Sequence, residues 1–495
     1  MKSEYIAPSI SLFNAEKDYT KTREKNDKLA EQILNRVISA FLENEIVAEL
    51  DSVSFYYNVT QFSFKIIEDS SYGLDLEKKL DTIAESCREV NNDICVGGYL
   101  LGKNTDRQRA KISYFHFYRR TPQACNLFKG GGFVNGNVCL YFTPECEPCY
   151  EPLESFYLTT IASIGDNSSY LLESFLANLT YSISPSLFKI IVFDSKNQLA
   201  DFGQIPHNLF NKTIEDFSVF YTMLEWIDDE VEKRLKLLKD NNLSDISAYN
   251  AINAQKMPYI AFTVNGFRAV FEEYGIYSDK VIDKLVNILD KAKNTGVLFL
   301  FSAVTNIIDP YHNAIRARAT KAICFSLNNA SDCRNAIGHA IKIGTLLVDK
   351  NAIMVKQNSN MDEKLPFFFE ENELKNLIAY FKSQKFTVDE SAFSEILLKA
   401  QSGDMSRQSR KVNEELLIEK QFLRYLILNA PRGSSVEHLN NFLRVERNLG
   451  FSVMEKLCKK GYVKKSESKI FSLITVNYQS NITKEQFEEI FGEKI

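Results

Sequence analysis

The sequence predicts an α/β protein with a mostly parallel central sheet, a small α/β region before it and a helical module after it. Between residues 156 and 384, five short apolar runs alternate with long helical patterns. Apolar strands separated by helices are typical of a parallel sheet covered by helices on both faces. Near the C-terminus, three short helical patterns and a β-pair occupy about 60 residues and predict a separate small domain.

The N-terminal residues combine two helical patterns, the second of them "LDLEKKLDTIAESCREV", with strand-like runs. Residues 21–45 carry a four-residue apolar stripe, made of Leu29, Ile33, Val37 and Phe41. The runs "SVSFYYNVTQFSFKII" and "KISYFHFYRR" are strand-like. These patterns predict an N-terminal α/β domain over residues 1–150. Its glycine-rich end, "FKGGGFVNGNVCLYF", predicts a hairpin or a flexible loop, because no helix follows the glycines to form a phosphate cradle.

The central region supplies the five strand candidates. They are "FYLTTIAS", "FKIIVFDS", "YIAFTVNG", "GVLFLFSA" and "KAICFSL". Long helical stretches lie between them, notably "FSVFYTMLEWIDDEVEKRLKLLKD" and "DKVIDKLVNILDKAKN". We therefore predict a core domain over residues 151–385.

The C-terminal region begins with a polar, serine-rich stretch, which predicts a linker over residues 386–412. Residues 413–475 have the layout of a winged helix, in which the third helix can enter the DNA major groove. The alternative is a winged helix that serves packing or protein contacts. Residues 476–495 are predicted to be a C-terminal tail.

Composition and charge limit the classes of protein to which this sequence can belong. No run of about 18 apolar residues and no apolar signal core occur, so we expect a soluble, cytoplasmic protein without a membrane segment. The single CxxC, Cys146 and Cys149, lacks a second pair, and we expect no metal site. The net charge is −5, but residues 401–470 hold 14 Lys and Arg against 8 Asp and Glu. This basic module is compatible with DNA binding, and a solvated basic face is the alternative.

One stretch has the layout of a phosphate-binding loop. "TTIASIGDNSSYLLESFL", from Thr159 to Leu176, places a small-residue turn between a β-rich run and a helical pattern. Where such a loop needs a lysine, this sequence has Ser168. Taken alone, the stretch is also compatible with an ordinary turn in an α/β fold.

Several stretches together resemble the soluble motor of FtsK/SpoIIIE-type DNA translocases, in the same order along nearly the whole chain. They are "YIAPSISLF", "IVFDSKNQLADFGQIPHNL", "LEWIDDEVEKRLKLL…DISAYN", "FSLNNASDCRNAI" and "FFFEENELKNLIAYFKSQ". The residues that match family motifs are Asp194, Lys196, Ile205, Pro206, His207, Trp226, Glu232, Arg234, Tyr249, Asn250, Asp332 and Arg334. The resemblance implies a RecA-like P-loop core with a C-terminal winged helix.

The resemblance also implies where ATP and magnesium would bind, and this sequence departs from the pattern there. Of the phosphate loop, Gly165 is kept and Ser169 stands where a hydroxyl would contact magnesium. The substituted loop positions are Ala162 and Asn167 for glycines and Ser168 for the lysine. The Asp-Glu pair of the next motif, which would hold magnesium and activate water, is Asn265 and Gly266. The Thr-Gln-Arg run of the following strand is Ser302, Ala303 and Val304.

Two further sets of residues follow from the resemblance. Arg316 and Arg318 lie near the family's subunit-facing basic segment and could act in trans on a neighbour's nucleotide; a solvated basic patch is the alternative. In the DNA-reading helix, Asn448 is kept, while both family arginines of that run are replaced. The candidates for DNA contact, mainly through phosphates, are Arg444, Arg447, Asn448, Lys459, Lys460, Lys464 and Lys465.

The resemblance thus implies a DNA translocase homologue without an intact catalytic residue. We expect a pseudo-ATPase that binds double-stranded DNA, or that joins a homo- or hetero-oligomeric ring, such as a hexamer with FtsK-like subunits, and modulates an active motor. One alternative is an active DNA-dependent ATPase with other residues in the catalytic roles, which moves chromosome or plasmid DNA and uses ATP and magnesium. Another is a DNA-binding regulator in which only the winged helix works.

Overall fold

The computed structural model describes most of the 495 residues. The described ranges are 6–15, 20–55, 59–69, 74–87, 90, 95–101, 109–115, 122–128, 132–304, 311–327, 329–338, 352–384, 386, 391–430, 432–443, 445–470, 473–492 and 494. The chain divides into two compact units. Unit 1 comprises residues 1–217, 224–273 and 280–393, and unit 2 comprises residues 218–223, 274–279 and 394–495.

The N-terminal part of unit 1 is a four-stranded antiparallel sheet with two helices. The helices are α1, Thr20–Glu43, and α2, Leu74–Ser86; the strands are β1, Ile46–Phe55, β2, Val59–Asp69, β3, Cys95–Leu101, and β4, Arg109–Phe115. The strand order is β1-β2-β4-β3. Ile33, Val37 and Phe41 of the predicted apolar stripe are buried in the core between helix and sheet, as a four-residue helical spacing requires.

A larger sheet forms the body of unit 1. Its strands are β5, Phe133–Val134, β6, Asn137–Phe142, β7, Pro148–Pro152, β8, Leu158–Ser163, β9, Phe188–Asp194, β10, Tyr259–Asn265, β11, Val297–Val304, β12, Lys321–Phe325, β13, Ile353–Gln357, and β14, Asn360–Pro366. The order is β5-β6-β14-β13-β12-β8-β11-β10-β9, with β7 beside β6. The segment β12-β8-β11-β10-β9 is parallel throughout. Its five strands are the five predicted from the sequence.

The α-helices described between residues 124 and 383 follow in chain order. They are α3, Ala124–Phe128, α4, Asn167–Ser182, α5, Phe220–Asp240, α6, Ile246–Ile252, α7, Arg268–Tyr274, α8, Ser278–Lys291, α9, Asn313–Arg316, α10, Ala330–Ile337, and α11, Glu371–Ser383. Helices α5 and α8 correspond to the two long helical patterns of the sequence. In the described part of the chain, no helix is long and apolar enough to cross a membrane.

The predicted boundary at residue 150 does not coincide with a boundary between sheets. The strands β5 and β6 form the predicted glycine-rich hairpin, with Asn135 and Gly136 at positive φ in its turn. However, β6 pairs with β14 of the larger sheet. The hairpin therefore belongs to the larger sheet. The sequence did not predict this pairing, because the partner strand lies more than 200 residues later in the chain.

The boundary between the two units, at residues 393 and 394, falls within the predicted linker over residues 386–412, but its described residues are largely helical. Helix α12, Ser391–Ser402, buries Phe393 and Ile396, and α13, Arg407–Leu428, begins within the same stretch. The serine at 406 is an N-cap, since its hydroxyl accepts a hydrogen bond from the Ser409 backbone N–H. Serines favour helix N-termini as well as linkers, so composition alone did not distinguish the two.

From residue 407 onward, the described part of unit 2 contains three helices, a hairpin and a last helix. These are α13, then α14, Val436–Leu443, α15, Arg447–Lys459, β15, Val463–Ile470, β16, Leu473–Ser480, and α16, Lys484–Phe491. Leu423, Leu439 and Leu457 are buried in a common core of these helices. The predicted tail over residues 476–495 is wrong, because it contains the end of β16 and α16, and Phe487 of α16 is buried in that core.

Candidate nucleotide site and basic module

The residues of the expected nucleotide site lie at one edge of the parallel sheet. Strands β8, β9, β10 and β11 all end there, because parallel strands present their carboxyl ends to the same side. The loop 164–166 joins β8 to α4, and Asn265 is the last residue of β10. The structure thus brings together the two motifs that lie about 100 residues apart in the sequence.

The loop itself is closed by its own hydrogen bonds. Gly165 has a φ of +77°, a backbone conformation that glycine adopts without strain. The Ser163 hydroxyl donates to the Gly165 carbonyl over 2.8 Å and accepts from the Ser168 backbone N–H over 2.8 Å. The Ser169 backbone N–H donates to the Asp166 carbonyl over 2.9 Å. In this state, two N–H groups at the start of α4 that could face a phosphate are already bonded within the protein.

Ser168 does not replace the missing lysine. Its side chain is completely buried, and its hydroxyl donates to the carbonyl of Ala303 in β11 over 3.2 Å. Ser169 is also buried, with 2% of its surface exposed, while Asn167 begins α4. Ser168 therefore ties the start of α4 to the sheet and supplies no charge to the site.

A different lysine reaches the loop. The Lys196 ammonium, from the turn after β9, lies 2.5 Å from a carboxylate oxygen of Asp166. Lys196 belongs to a matched motif of the sequence, yet its spacing of 30 residues from Asp166 gave no signal that the two side chains meet. Only the crossover of α4 between β8 and β9 brings them together.

The ends of three neighbouring strands form one buried polar row. Asp194, Asn265 and Ser302 are register partners on β9, β10 and β11, and all three are fully buried. The Asn265 amide nitrogen donates to Asp194 Oδ1 over 2.8 Å, and the Ser302 hydroxyl donates to Asn265 Oδ1 over 2.6 Å. Both polar atoms of the Asn265 amide are therefore engaged inside the protein.

The backbone completes the hydrogen bonding of this row. Asp194 also accepts from the backbone N–H groups of Lys196, at 3.0 Å, and Leu199, at 2.5 Å. Three donors thus satisfy a buried carboxylate, which would otherwise be costly to bury. Asn265 is one of these donors, so its amide helps to satisfy the buried oxygens of Asp194.

Gly266, which stands where the family motif has a glutamate, has a backbone conformation that favours glycine. Its φ is +76°, and a Cβ added there would lie 2.3 Å from the Ser195 hydroxyl oxygen. That hydroxyl donates to the Asn265 carbonyl over 3.2 Å. A glutamate at this position would therefore require local rearrangement.

One acidic side chain near the row was not singled out from the sequence. Glu173, on α4, has its pKa raised to about 7, first by burial and then by the negative charges of Asp201 and Asp194. A carboxyl group on a helix has no distinctive sequence signal, because its pKa depends on neighbours from other elements.

The two candidate trans-acting arginines are engaged within the chain. Arg318 forms a bidentate ion pair with Asp290, at 2.6 and 2.8 Å, which raises the pKa of Arg318 and lowers that of Asp290. Arg316 donates to the backbone carbonyl of Asn335 over 2.6 Å and bonds to the Asn313 side chain. Both guanidinium groups hold local structure together.

The candidate DNA-contacting residues lie in unit 2. Arg447 and Asn448 are exposed at the start of α15, and Lys459 is exposed at its end. Lys464 and Lys465 are exposed on β15. Lys460 follows α15 and forms an ion pair with Glu419 of α13. Arg444 lies outside the described residues.

Comparison with known proteins relates the centre of the chain to DNA translocases. The FtsK/SpoIIIE family model matches residues 168–323. DNA translocase SftA of Bacillus subtilis (strain 168) is 24% identical over 227 residues, 44% of this chain and 23% of that protein. DNA translocase FtsK of Clostridium acetobutylicum is 20% identical over 318 residues, 62% of this chain and 39% of that protein. The chain spans less than half the length of these curated relatives.

Among solved structures, the pCW3 conjugation coupling protein TcpA aligns with 70% of this chain and 98% of its own, with a TM-score of 0.46 and 12% identity.

The family match begins at Ser168, includes Asn265 and Gly266, and ends in β12. It therefore covers most of the parallel strands that form the candidate site. Residues 168–323 are thus similar to the FtsK/SpoIIIE family, and this stretch lies within the resemblance found in the sequence.

Proposed function

We propose that this protein is a DNA translocase homologue whose nucleotide site has lost ATP hydrolysis. In this proposal it acts by binding double-stranded DNA, or by joining a ring of FtsK-like subunits and modulating an active motor. The observation that carries the proposal is the buried row of Asp194, Asn265 and Ser302, in which Asn265 donates to a carboxylate.

The hydrogen bonds of this row support a structural role for residue 265. Proteins usually hold magnesium through one or two carboxylates, and Asn265 offers only a neutral amide. An aspartate there would place a second carboxylate about 2.8 Å from Asp194, a separation at which two like charges repel strongly. The amide therefore fits a structural role in this row better than a place in a magnesium site.

The other catalytic contributions are missing in the same region. Ser168 is buried and uncharged, and Gly266 has no side chain to polarise water. Arg316 and Arg318 are held by contacts within the chain, which argues for an architectural role rather than for catalysis in trans. Each of these elements typically contributes orders of magnitude to phosphoryl-transfer rates.

For the DNA-binding part, we propose that α13, α14, α15 and the β15–β16 hairpin are a winged helix. Its exposed cations, Arg447, Lys459, Lys464 and Lys465, suit the phosphate backbone. The replaced arginines of the DNA-reading run favour contacts to phosphates over contacts to base edges.

The test is ATP hydrolysis by the purified full chain, with and without long double-stranded DNA, beside the Ser168→Lys variant. We expect no turnover above background in either protein, because a lysine alone restores neither a metal ligand nor a general base. DNA-stimulated turnover by the unaltered protein would refute the loss of hydrolysis.

One observation favours the second candidate, an active DNA-dependent ATPase. Lys196 already reaches the loop and could contact a phosphate if it left Asp166. If the unaltered protein hydrolyses ATP, the Lys196→Ala variant should lose that activity. Lys291→Ala, which removes a lysine of α8 paired with Glu232 of α5, should keep it.

A further inference from the structure

The third helix of the proposed winged helix, α15, carries several basic residues. Acidic residues of another helix neutralise some of them. Arg447, Lys456 and Lys459 lie on α15, and Lys460 follows it directly. Lys456 and Lys460 are four residues apart, so they lie on the same side of the helix. That side contacts α13.

Two acidic residues of α13 meet these lysines. Glu419 is completely buried, and its carboxylate oxygens lie 2.5 Å from the Lys460 ammonium and 3.1 Å from the Lys456 ammonium. Glu415 lies 2.9 Å from the Lys456 ammonium. Glu415 and Glu419 are also four residues apart, so two matched i, i+4 pairs face each other.

The arrangement neutralises one edge of α15. Two carboxylates oppose two ammonium groups, so the four side chains carry no net charge. The lysines nevertheless remain near the surface, because 47% of the Lys456 side chain and 37% of the Lys460 side chain are exposed. They lie within reach of a polyanion but are already paired, and a buried carboxylate cannot release them without remaining desolvated and unpaired.

We propose that Glu419, assisted by Glu415, is an autoinhibitory contact that withholds Lys456 and Lys460 from the phosphates of double-stranded DNA. The inference rests on the proposed DNA binding by this module. It assigns the weak, phosphate-only binding of the unaltered protein to Arg447, Lys459, Lys464 and Lys465, and it makes α13 the element that limits affinity.

Counterion release gives the expected size of the effect. Each phosphate contact contributes about 0.9 to the slope of log affinity against log salt concentration on duplex DNA. Release of two lysines should therefore steepen this slope by up to about 1.8 and raise affinity roughly tenfold at low salt.

The experiment measures binding of the full chain to a fluorescein-labelled duplex of mixed sequence, by anisotropy across a salt series. The variants are Glu419→Gln, Glu415→Gln, and Glu419→Gln combined with Lys456→Ala and Lys460→Ala. Glu489→Gln, on the exposed side of α16, is the control for a matched change in net charge.

We expect Glu419→Gln to bind roughly tenfold tighter with a steeper salt slope, Glu489→Gln to match the unaltered protein, and the triple variant to lose the gain. Equal affinities for Glu419→Gln and Glu489→Gln would overturn the inference while leaving DNA binding intact. If neither the unaltered protein nor any variant binds, DNA binding itself fails and the inference fails with it.

Circular dichroism establishes that each variant is folded. If Glu419→Gln does not fold, Glu415→Gln decides the question, because Glu415 is partly exposed and its loss leaves the core unchanged. We then expect a smaller gain, about threefold, from Lys456 alone. No gain over Glu489→Gln would overturn the inference.

Discussion

At the residue scale, the degenerate positions have structural roles of their own. Asn265 donates to a buried carboxylate, Ser168 anchors α4 to β11, and Gly266 has a positive φ. Restoring the residues of an active motor at these positions is therefore expected to cost stability. The three positions that depart from the family motifs therefore each take part in, or are required by, local contacts of the fold.

The first prediction concerns Asn265→Asp. The variant replaces a donor to Asp194 with a second carboxylate, so we expect the free energy of unfolding to fall by about 2 kcal/mol at pH 8. Repulsion raises the folded-state pKa of the introduced carboxyl above its unfolded value, so the loss should be small at low pH and grow as pH rises through that pKa. Urea unfolding at pH 5 and pH 8 measures both effects.

The exchange Asp194→Asn with Asn265→Asp is the matched control for this prediction. It restores one carboxylate and one amide to the row and should recover part of the stability. A variant Asn265→Asp as stable as the unaltered protein at pH 8 would show that the row does not depend on an amide at this position.

The second prediction concerns Glu173, whose pKa is raised to about 7 by burial and by Asp201 and Asp194. Because the folded-state pKa exceeds the unfolded value, the neutral carboxyl favours the folded state at low pH. Its contribution should disappear as pH rises from about 4.5 to about 7, by roughly 1–3 kcal/mol.

Glu173→Gln should therefore flatten the pH dependence of the free energy of unfolding between pH 5 and pH 8. Glu272→Gln, on the exposed surface of α7, serves as the comparison and should leave that dependence unchanged. Parallel curves for Glu173→Gln and the unaltered protein would contradict a raised pKa.

At the element scale, the contact of α14 with α15 makes a glycine necessary inside a helix. A Cβ on Gly450 would lie 1.8 Å from the side-chain oxygen of Asn440. Asn440 is nearly fully buried, and its amide donates to the Arg447 carbonyl over 3.4 Å. The two helices can approach this closely only where α15 has no side chain.

The third prediction is that Gly450→Ala destabilises unit 2. In an isolated helix the change would stabilise by up to about 1 kcal/mol, but the clash should outweigh this and lower the free energy of unfolding by roughly 1–3 kcal/mol. Thermal unfolding measures the effect. Adding Asn440→Ala removes the opposing amide and should recover most of the loss; a stabilised Gly450→Ala variant would contradict the close approach.

At the scale of the whole molecule, the C-terminal module is more than the segment recognised from its sequence. Residue 413 falls inside α13 and residue 475 inside β16, and Phe487 of α16 completes the core. Unit 2 also includes residues 218–223 and 274–279 from the middle of the chain. Within it, Arg410 stacks on the ring of Tyr274 at 4.2 Å, and the Tyr274 hydroxyl donates to the Ser218 carbonyl.

The fourth prediction is that a fragment of residues 413–475 does not fold cooperatively. It lacks the first turns of α13, the end of β16 and Phe487, and the loss of one buried aromatic side chain typically costs 3–5 kcal/mol. We expect a fragment of residues 403–495 to show more helix by circular dichroism and a sharper thermal transition. A cooperative transition for residues 413–475 would show that α16 is dispensable.

The sequence alone determined the elements whose signal is local. The five parallel strands and the long helices followed from apolar patterns, and the resemblance to the FtsK/SpoIIIE family followed from motifs in a shared order. The absence of a lysine, an aspartate and a glutamate from the expected positions is also a property of the sequence itself. These conclusions need no knowledge of which distant residues meet.

Only the tertiary structure decided which contacts are made at and around those positions. The Asp194–Asn265 hydrogen bond, the Lys196–Asp166 ion pair and the Glu419–Lys460 ion pair join residues 71, 30 and 41 positions apart. The same holds for the serine-rich stretch, where helix formation depends on burying Phe393 and Ile396. Such contacts arise from the packing of whole elements, and hydrogen bonds and charges act over a few ångströms in space, whatever their separation along the chain.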